Sequence, residues 1–434
     1  MALTAAFGVS ACIEEHPDWV GADPEASADA SDDASADATA DATGGEGEST
    51  LDGEASSTTS STGDGDGDGD SGDGDGDGDG DGDEVCGDAC PWVDDGFDRR
   101  NALKIDGEKI GESFIDIPAR VRVDPSWFDY ANAAEGGADI RFYSDEGVLL
   151  SHEIERWVAD GTSDVWVRLP ALVSGQDARF WVYYGNPAPP AADPPSSVWD
   201  TSHRGVWHLE NLDDSTGITG TGEDNGSIAT EAIAGRGRSF GGLGENITMP
   251  VSAPLQILGS MTITAMVRYE SFDADPNSNT FLMHAGLDTK QSDNTLYRVE
   301  YVPTSLGSQD VGLWMVWEFA GGSHAIKSPT SPDLEDDAWH QLVFVRDAGS
   351  TVVYFYVDGE PVVGGPKNWT VPPANGVIGR LMFGANPRNP AERNFAGDLD
   401  EIRIVDGVRS AAYIAFDYQS VTGTLIDYDP AEVR

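Results

Sequence analysis

From residue 138 onward, apolar and polar positions alternate in short runs that Gly, Asp, Asn and Ser interrupt at hairpin distances. ADIRFYS (138–144), VLLSHEIERWV (148–158), DVWVRLP (164–170) and ARFWVYYGN (178–186) are rich in β-branched and aromatic residues. Such residues suit a pleated, half-buried surface. A second series follows: GVWHLE (205–210), SMTITAMVRYES (260–271), DAWHQLVFVRD (337–347), TVVYFYVDGEPV (351–362) and GRLMFGAN (379–386). Asp358-Gly359 supplies the positive φ angles of a hairpin turn. The most informative stretch is FAGDLDEIRIVDGVRSAAYIAFDYQS (395–420). Its pattern predicts a strand with Asp400 and Glu401 at its start and Ile402 and Ile404 packed inward. A turn at Asp406-Gly407 and a short amphipathic helix over 410–418 follow. The class is all-β, with a β-sandwich-like module over 91–199 and a second module over 200–430. A Pro/Ala linker at 187–195 joins them.

Ahead of residue 91 the pattern vanishes. Ala/Asp/Ser/Thr repeats give way to a Gly-Asp alternation over 63–83, a composition with too little apolar surface to offset chain entropy. Residues 13–90 are therefore expected to form a long disordered acidic tether. A Gly-rich chain of that size spans roughly 50 Å root-mean-square and on the order of 250 Å when fully extended. The net charge of the 434 residues is −52, and no Lys or Arg precedes Arg99. Residues 1–90 hold 26 of the 77 acids, which leaves 51 acids against 25 bases beyond them. The acidic field excludes a phosphate backbone and a bare anionic lipid surface as partners.

The three cysteines divide by position. Cys12 ends VSAC (9–12), which resembles a bacterial lipobox, so residues 1–12 read as a lipoprotein signal, truncated at its start, with Cys12 lipidated. The apolar run before it is too short to span a bilayer. The resemblance implies a protein exported and anchored to the outer membrane or cell surface, touching membrane only through that lipid. Cys86 and Cys90 in CGDAC are expected to form a local disulfide in an oxidising compartment.

Two family resemblances cover nearly all of the predicted folded chain. Trp92, Arg99 and Arg100 followed by DIRF, EIERW, VWVRLP and YYGN resemble the bacterial domain of unknown function 2341. TITAMV, WHQL, YVDG and FAGDLDEIRI resemble a laminin G-like, concanavalin A-like jelly roll, with Met266 where a Trp is usual. The second resemblance implies binding of polysaccharide or a cell-surface protein, and a calcium ion at the rim, to which Asn386 and Asp398 could contribute. Its alternatives are a structural spacer or adhesin component and a glycan-cleaving hydrolase on the same fold.

Candidate chemistry is sparse, and no catalytic residue is assigned. GRSFG (237–241) matches G-x-S-x-G, but an extended run follows Ser239 where a nucleophile elbow needs a helix. Glu153 and Glu155, two apart on a strand, would stand roughly 6.5–7 Å apart on one face, near the spacing of glycosidase carboxylates. Exposed acids on an outer face are commonplace, and that reading is favoured over catalysis. DLDE (398–401) lacks the flanking glutamates that hydrolases of the concanavalin A-like class carry. Residues 73–84 fit the calcium-loop spacing, as any Gly-Asp alternation will. His208 and His340 each follow a Trp in a strand and read as packing residues. Trp317 and Phe319 share one strand face: outward they would stack a sugar, inward they are core, which burial preference favours.

Overall fold

The structure is a computed structural model that describes residues 91–269, 280–286, 295–303, 311–319, 322–373, 379–385 and 394–434. The expectations placed on Cys12, Cys86, Cys90, the tether, the 73–84 spacing and Asn386 lie outside these residues. Among the described residues the strands form four antiparallel sheets, of six, three, nine and seven strands.

The first two sheets make a sandwich. Arg99–Ile105 pairs along its whole length with Ala178–Tyr184, which pairs in turn with Arg141–Ser144. The facing sheet is Phe114–Val123, Ser163–Leu172 and His152–Arg156. Period-2 patterning decides what lies between them. Ile117, Ala119, Val121 and Val123 point inward with Leu103, Phe142 and Val182, while Arg120 points to the opposite face. The free edge of Arg99–Ile105 is filled from far along the chain. Ile426–Tyr428 pairs there with Leu103 opposite Tyr428, and Glu432–Val433 with Arg99 opposite Val433. The six-stranded sheet is thus built from both ends of the described chain, a closure that the division at residue 200 did not anticipate.

The nine- and seven-stranded sheets form the jelly roll, closing over a core that includes Trp207, Ile263, Met315, Phe344, Leu399 and Ile404. The LVFV run explains the layering. Leu342 and Phe344 enter this core, whereas Val343 and Val345 cover the sheet's outer face with Tyr356 and Ile414. A continuous apolar run is the signature of a strand buried on both faces. Ile414 belongs to the helix Ala411–Thr422, one turn longer than expected. Ser410 caps its N-terminus by accepting from the Tyr413 amide at 3.0 Å, and Gly423, at φ 74°, ends it in the left-handed region. The same helix sends Phe416 into the core of the first sandwich. The Asp358-Gly359 turn has φ of 53° and 81°, as its sequence requires.

Candidate functional site

Two β-bulges place charged groups between the sandwich and the jelly roll. In Ala396–Val405, Asp400 pairs with Met266 and Arg403 with Thr264, so Glu401 and Ile402 together oppose Ala265. Glu401 has φ of 48°, the left-handed conformation a bulge can impose on a residue with a side chain. The extra residue lets Leu399 and Ile402, three apart, both reach the jelly-roll core. Asp400 and Glu401 are left on the opposite face. In His152–Arg156 the register shifts likewise between Ile154 and Arg156, with Glu155 the extra residue. Ile154 packs on the sandwich core, while Glu153, Glu155 and Arg156 reach residues of the jelly roll.

His208 receives them. Trp207 before it turns into the core against Phe383, so its neighbour turns the other way. Its Nδ1 lies 2.6 Å from Glu401 Oε1 and 3.7 Å from Glu155 Oε2, and its Nε2 lies 3.5 Å from Glu153 Oε2. The Trp166 indole donates to Glu155 Oε2 and the Trp199 indole to Glu153 Oε2, each at 2.9 Å. Ser215 donates to the other Glu153 oxygen at 2.6 Å. Arg403 donates to Glu401 Oε2 and to Asp417 Oδ1, both at 2.5 Å, and its guanidinium lies 4.4 Å from the Trp166 ring centroid. Beside this group, Arg120 donates twice to Asp164 Oδ1, and the Gly235 amide donates to Asp164 Oδ2 at 2.9 Å. Trp166, Val198, Trp199, Val206, Met266 and Val421 seal the cluster with apolar surface.

Burial and charge divide the acids. Burial, then the adjacent Glu401 carboxylate, pushes the Glu155 carboxyl up to about 8, and the same two causes raise Asp400 well above the ordinary range. For Glu401 burial acts upward too, but the charges of His208 and Arg403 outweigh it and hold the group down at about 2. His208 is raised well above 6.5: burial opposes this, and Glu401, Glu155 and Glu153 overcome it. The side chains of Glu155 and Glu401 are each 1% exposed. A polymer substrate has no path to them, so the arrangement can hold a proton or a cation and join the two modules, but it cannot receive a sugar.

The other sequence-derived candidates fall elsewhere. Trp317 is fully buried in the jelly-roll core, donating to the Val371 carbonyl at 2.8 Å. The outward, sugar-stacking alternative for Trp317 is therefore corrected in favour of the inward one, because its strand turns that face toward the opposing sheet. Phe319 ends the same strand opposite Gly322, and its ring lies outside the described residues. Asp398 is 2% exposed and accepts from Arg268 Nε at 2.8 Å, which removes it from an open rim site for calcium. Ser239 sits within Arg236–Gly241, paired with Ile228 and Asp398, with no helix after it. Replacing Trp317 by alanine is expected to cost about 3–5 kcal/mol of stability, the range for a buried Trp. Urea denaturation measures this; an unchanged midpoint would return Trp317 to the surface.

The sequence reading had Glu153 and Glu155 as exposed or catalytic acids and His208 as packing, and it did not join them to Glu401. The available signal was Asp400-Glu401 itself, two adjacent acids between Leu399 and Ile402 that break the period of two.

An all-β protein of two packed sandwiches is the class that this fold and site define. Residues 136–217 match the family described as domain of unknown function (DUF2341), and residues 240–415 match the concanavalin A-like lectin/glucanases superfamily. The chain carries a DUF2341 domain followed by a concanavalin A-like lectin/glucanase domain. Glu153, Glu155, Trp166, Trp199 and His208 fall in the first match, and Glu401 and Arg403 in the second. Over 178 residues, 40% of the chain, the sequence is 25% identical to adhesion G-protein coupled receptor V1 of Danio rerio, and the match spans 3% of that protein. Among solved structures, the chain is similar to domain 4 of AbnA, an extracellular arabinanase from Geobacillus stearothermophilus, in complex with arabinotriose. That likeness has 17% identity and a TM-score of 0.36, and covers 50% of this chain and 98% of that one. It is also similar to the botulinum neurotoxin serotype D ligand binding domain in complex with N-acetylneuraminic acid, with 13% identity, a TM-score of 0.37 and 50% of each chain covered.

Proposed function

We propose that the protein is a non-catalytic binding protein displayed at the cell surface. Its concanavalin A-like domain recognises a polysaccharide or surface glycoprotein, and the DUF2341 domain is the rigid base that positions it. The observation that carries this reading is how the charged residues are used. The carboxylates best placed for glycosidase chemistry are locked beneath Trp166 and Trp199 at the junction. General acid catalysis needs reach to the glycosidic oxygen. With part of the nine-stranded sheet's outer face taken up by this junction and the helix, the seven-stranded sheet and the loops remain for a ligand.

One observation favours a second reading, a spacer or adhesin component that takes a protein partner. On the outer face of the seven-stranded sheet, Val302, Trp314 and Val316 form a covered cluster, with Val316 1% exposed. Sugar stacking needs an accessible ring. A glycan array probed with the full chain, with calcium and with chelator, separates the two. Binding to a defined glycan supports the first reading and calcium dependence would place an ion in that site; no binding in either condition supports the second. Turnover of any arrayed polysaccharide would overturn both.

A further inference from the structure

We propose that Glu155, His208 and Glu401 bind one divalent transition-metal ion of the zinc class, a structural ion that ties the DUF2341 domain to the concanavalin A-like domain. Their donor atoms all lie within 4.8 Å of one another. From His208 Nδ1, Glu401 Oε1 is 2.6 Å away and Glu155 Oε2 is 3.7 Å away. Donors around a tetrahedral zinc, with bonds of about 2.0–2.2 Å, stand about 3.3–3.5 Å apart. The observed distances straddle that value, so small side-chain rotations suffice.

Two further observations point to a cation. Among the described residues, Glu155 Oε1 and Asp400 Oδ1 are buried acceptors with no hydrogen-bond donor. Asp400, fully buried beside Glu401 on the same face, adds a further unpartnered carboxyl oxygen next to the group, outside the set of mutually close donor atoms. The guanidinium supply is already committed. Arg120 is taken by Asp164, and Arg403 is divided between Glu401 and Asp417. Glu153, Glu155 and Asp400 are left without a guanidinium, and burying uncompensated carboxylates is costly.

The surroundings fit a metal site as well. His208 Nε2, on the side away from the proposed ion, makes no hydrogen bond in the present geometry and faces Glu153 Oε2 at 3.5 Å. A carboxylate behind a ligating imidazole fixes its tautomer and raises its basicity. The Trp166 indole orients the Glu155 carboxylate by donating to Oε2, the oxygen nearest His208 Nδ1, and Arg403 holds the remaining oxygen of Glu401 in place. One nitrogen donor with few oxygens selects zinc-like ions over calcium, which takes six to eight oxygens.

The test uses the full chain, stripped with chelator, dialysed and reloaded with Zn2+ or Co2+. Elemental analysis is expected to give one equivalent of zinc per chain, and the cobalt form to show the visible bands of a low-coordinate N/O site. Stripping should lower the melting temperature, and reloading should restore it. His208→Ala and the near-isosteric Glu155→Gln should each cut bound metal to under a tenth of an equivalent. Glu155→Gln keeps the contact with Trp166 and guards against a folding defect. Metal retained by both folded variants would assign it to the acidic Gly-Asp run and overturn the proposal. Wild type that takes up under a tenth of an equivalent, with a melting temperature indifferent to chelator and zinc, would also overturn it and leave protons as the neutralising charge.

Discussion

Arg403→Ala is expected to destabilise the protein by about 3–5 kcal/mol, the penalty for removing one partner of a buried ion pair. The side chain is 4% exposed, bridges Glu401 and Asp417, and stacks on two indoles. Its loss leaves two buried carboxylates on opposite elements, the bulged strand and the helix, without their shared guanidinium. Arg403→Lys keeps the charge but cannot fork to both acids, so an intermediate loss is expected. Urea denaturation of the full chain, followed by tryptophan fluorescence, reads both, since Trp166 and Trp199 line the site. A loss below about 1 kcal/mol, the scale of a solvated pair, would show that the cluster is wet and that the packing described here is wrong.

Removing residues 424–434 should have an effect as large, and at a place the sequence does not suggest. Leu425 and Ile426 fill the core of the first sandwich, 0% and 5% exposed. Each is a buried aliphatic side chain whose truncation alone costs about 2–5 kcal/mol, against about 5–15 kcal/mol of stability for a whole domain. The deletion also strips Arg99–Ile105 of its pairing edge and Arg100 of Glu432, 2.7 Å away. The DUF2341 domain is expected to unfold while the jelly roll keeps its structure. Hydrogen exchange would report this as lost protection at 99–105 and 178–184 beside retained protection at 342–345 and 353–356. Protection unchanged in the first pair of segments would make the terminal strands dispensable.

These two cases mark where the sequence was legible. Strands such as Ser163–Leu172 and Trp339–Asp347 announce themselves, because β-branched and aromatic residues recur with turn residues between them. The helix could be read from Ser410 onward because capping is local chemistry. Glu155 and Glu401 could not be read in the same way. A bulge is one residue of surplus against a partner strand: for Glu401 that partner, Met261–Arg268, lies far back along the chain, and for Glu155, whose partner is the next strand, the surplus appears only once the register of the pairing is fixed. The same holds for Ile426–Tyr428, whose three residues carry no periodicity of their own and gain their place from an edge offered at Leu103. Trp317 shows the converse: its strand was evident, but which face met the opposing sheet was fixed only when the two sheets closed.

The pairing of Arg99 with Val433 has a mechanical consequence. Because those strands run antiparallel, the polypeptide enters and leaves the fold at one point on its surface. Tension applied between residues 99 and 433 would act across the ladder, so its hydrogen bonds would rupture singly, like a zipper, beginning with the Arg99–Val433 pair. Tension applied at residue 99 alone would instead hang the whole body from a strand flanked on both sides, loading the Ala178–Tyr184 ladder along its length in shear. The fold is therefore a strong pendant on a single line and a weak link when strung between two.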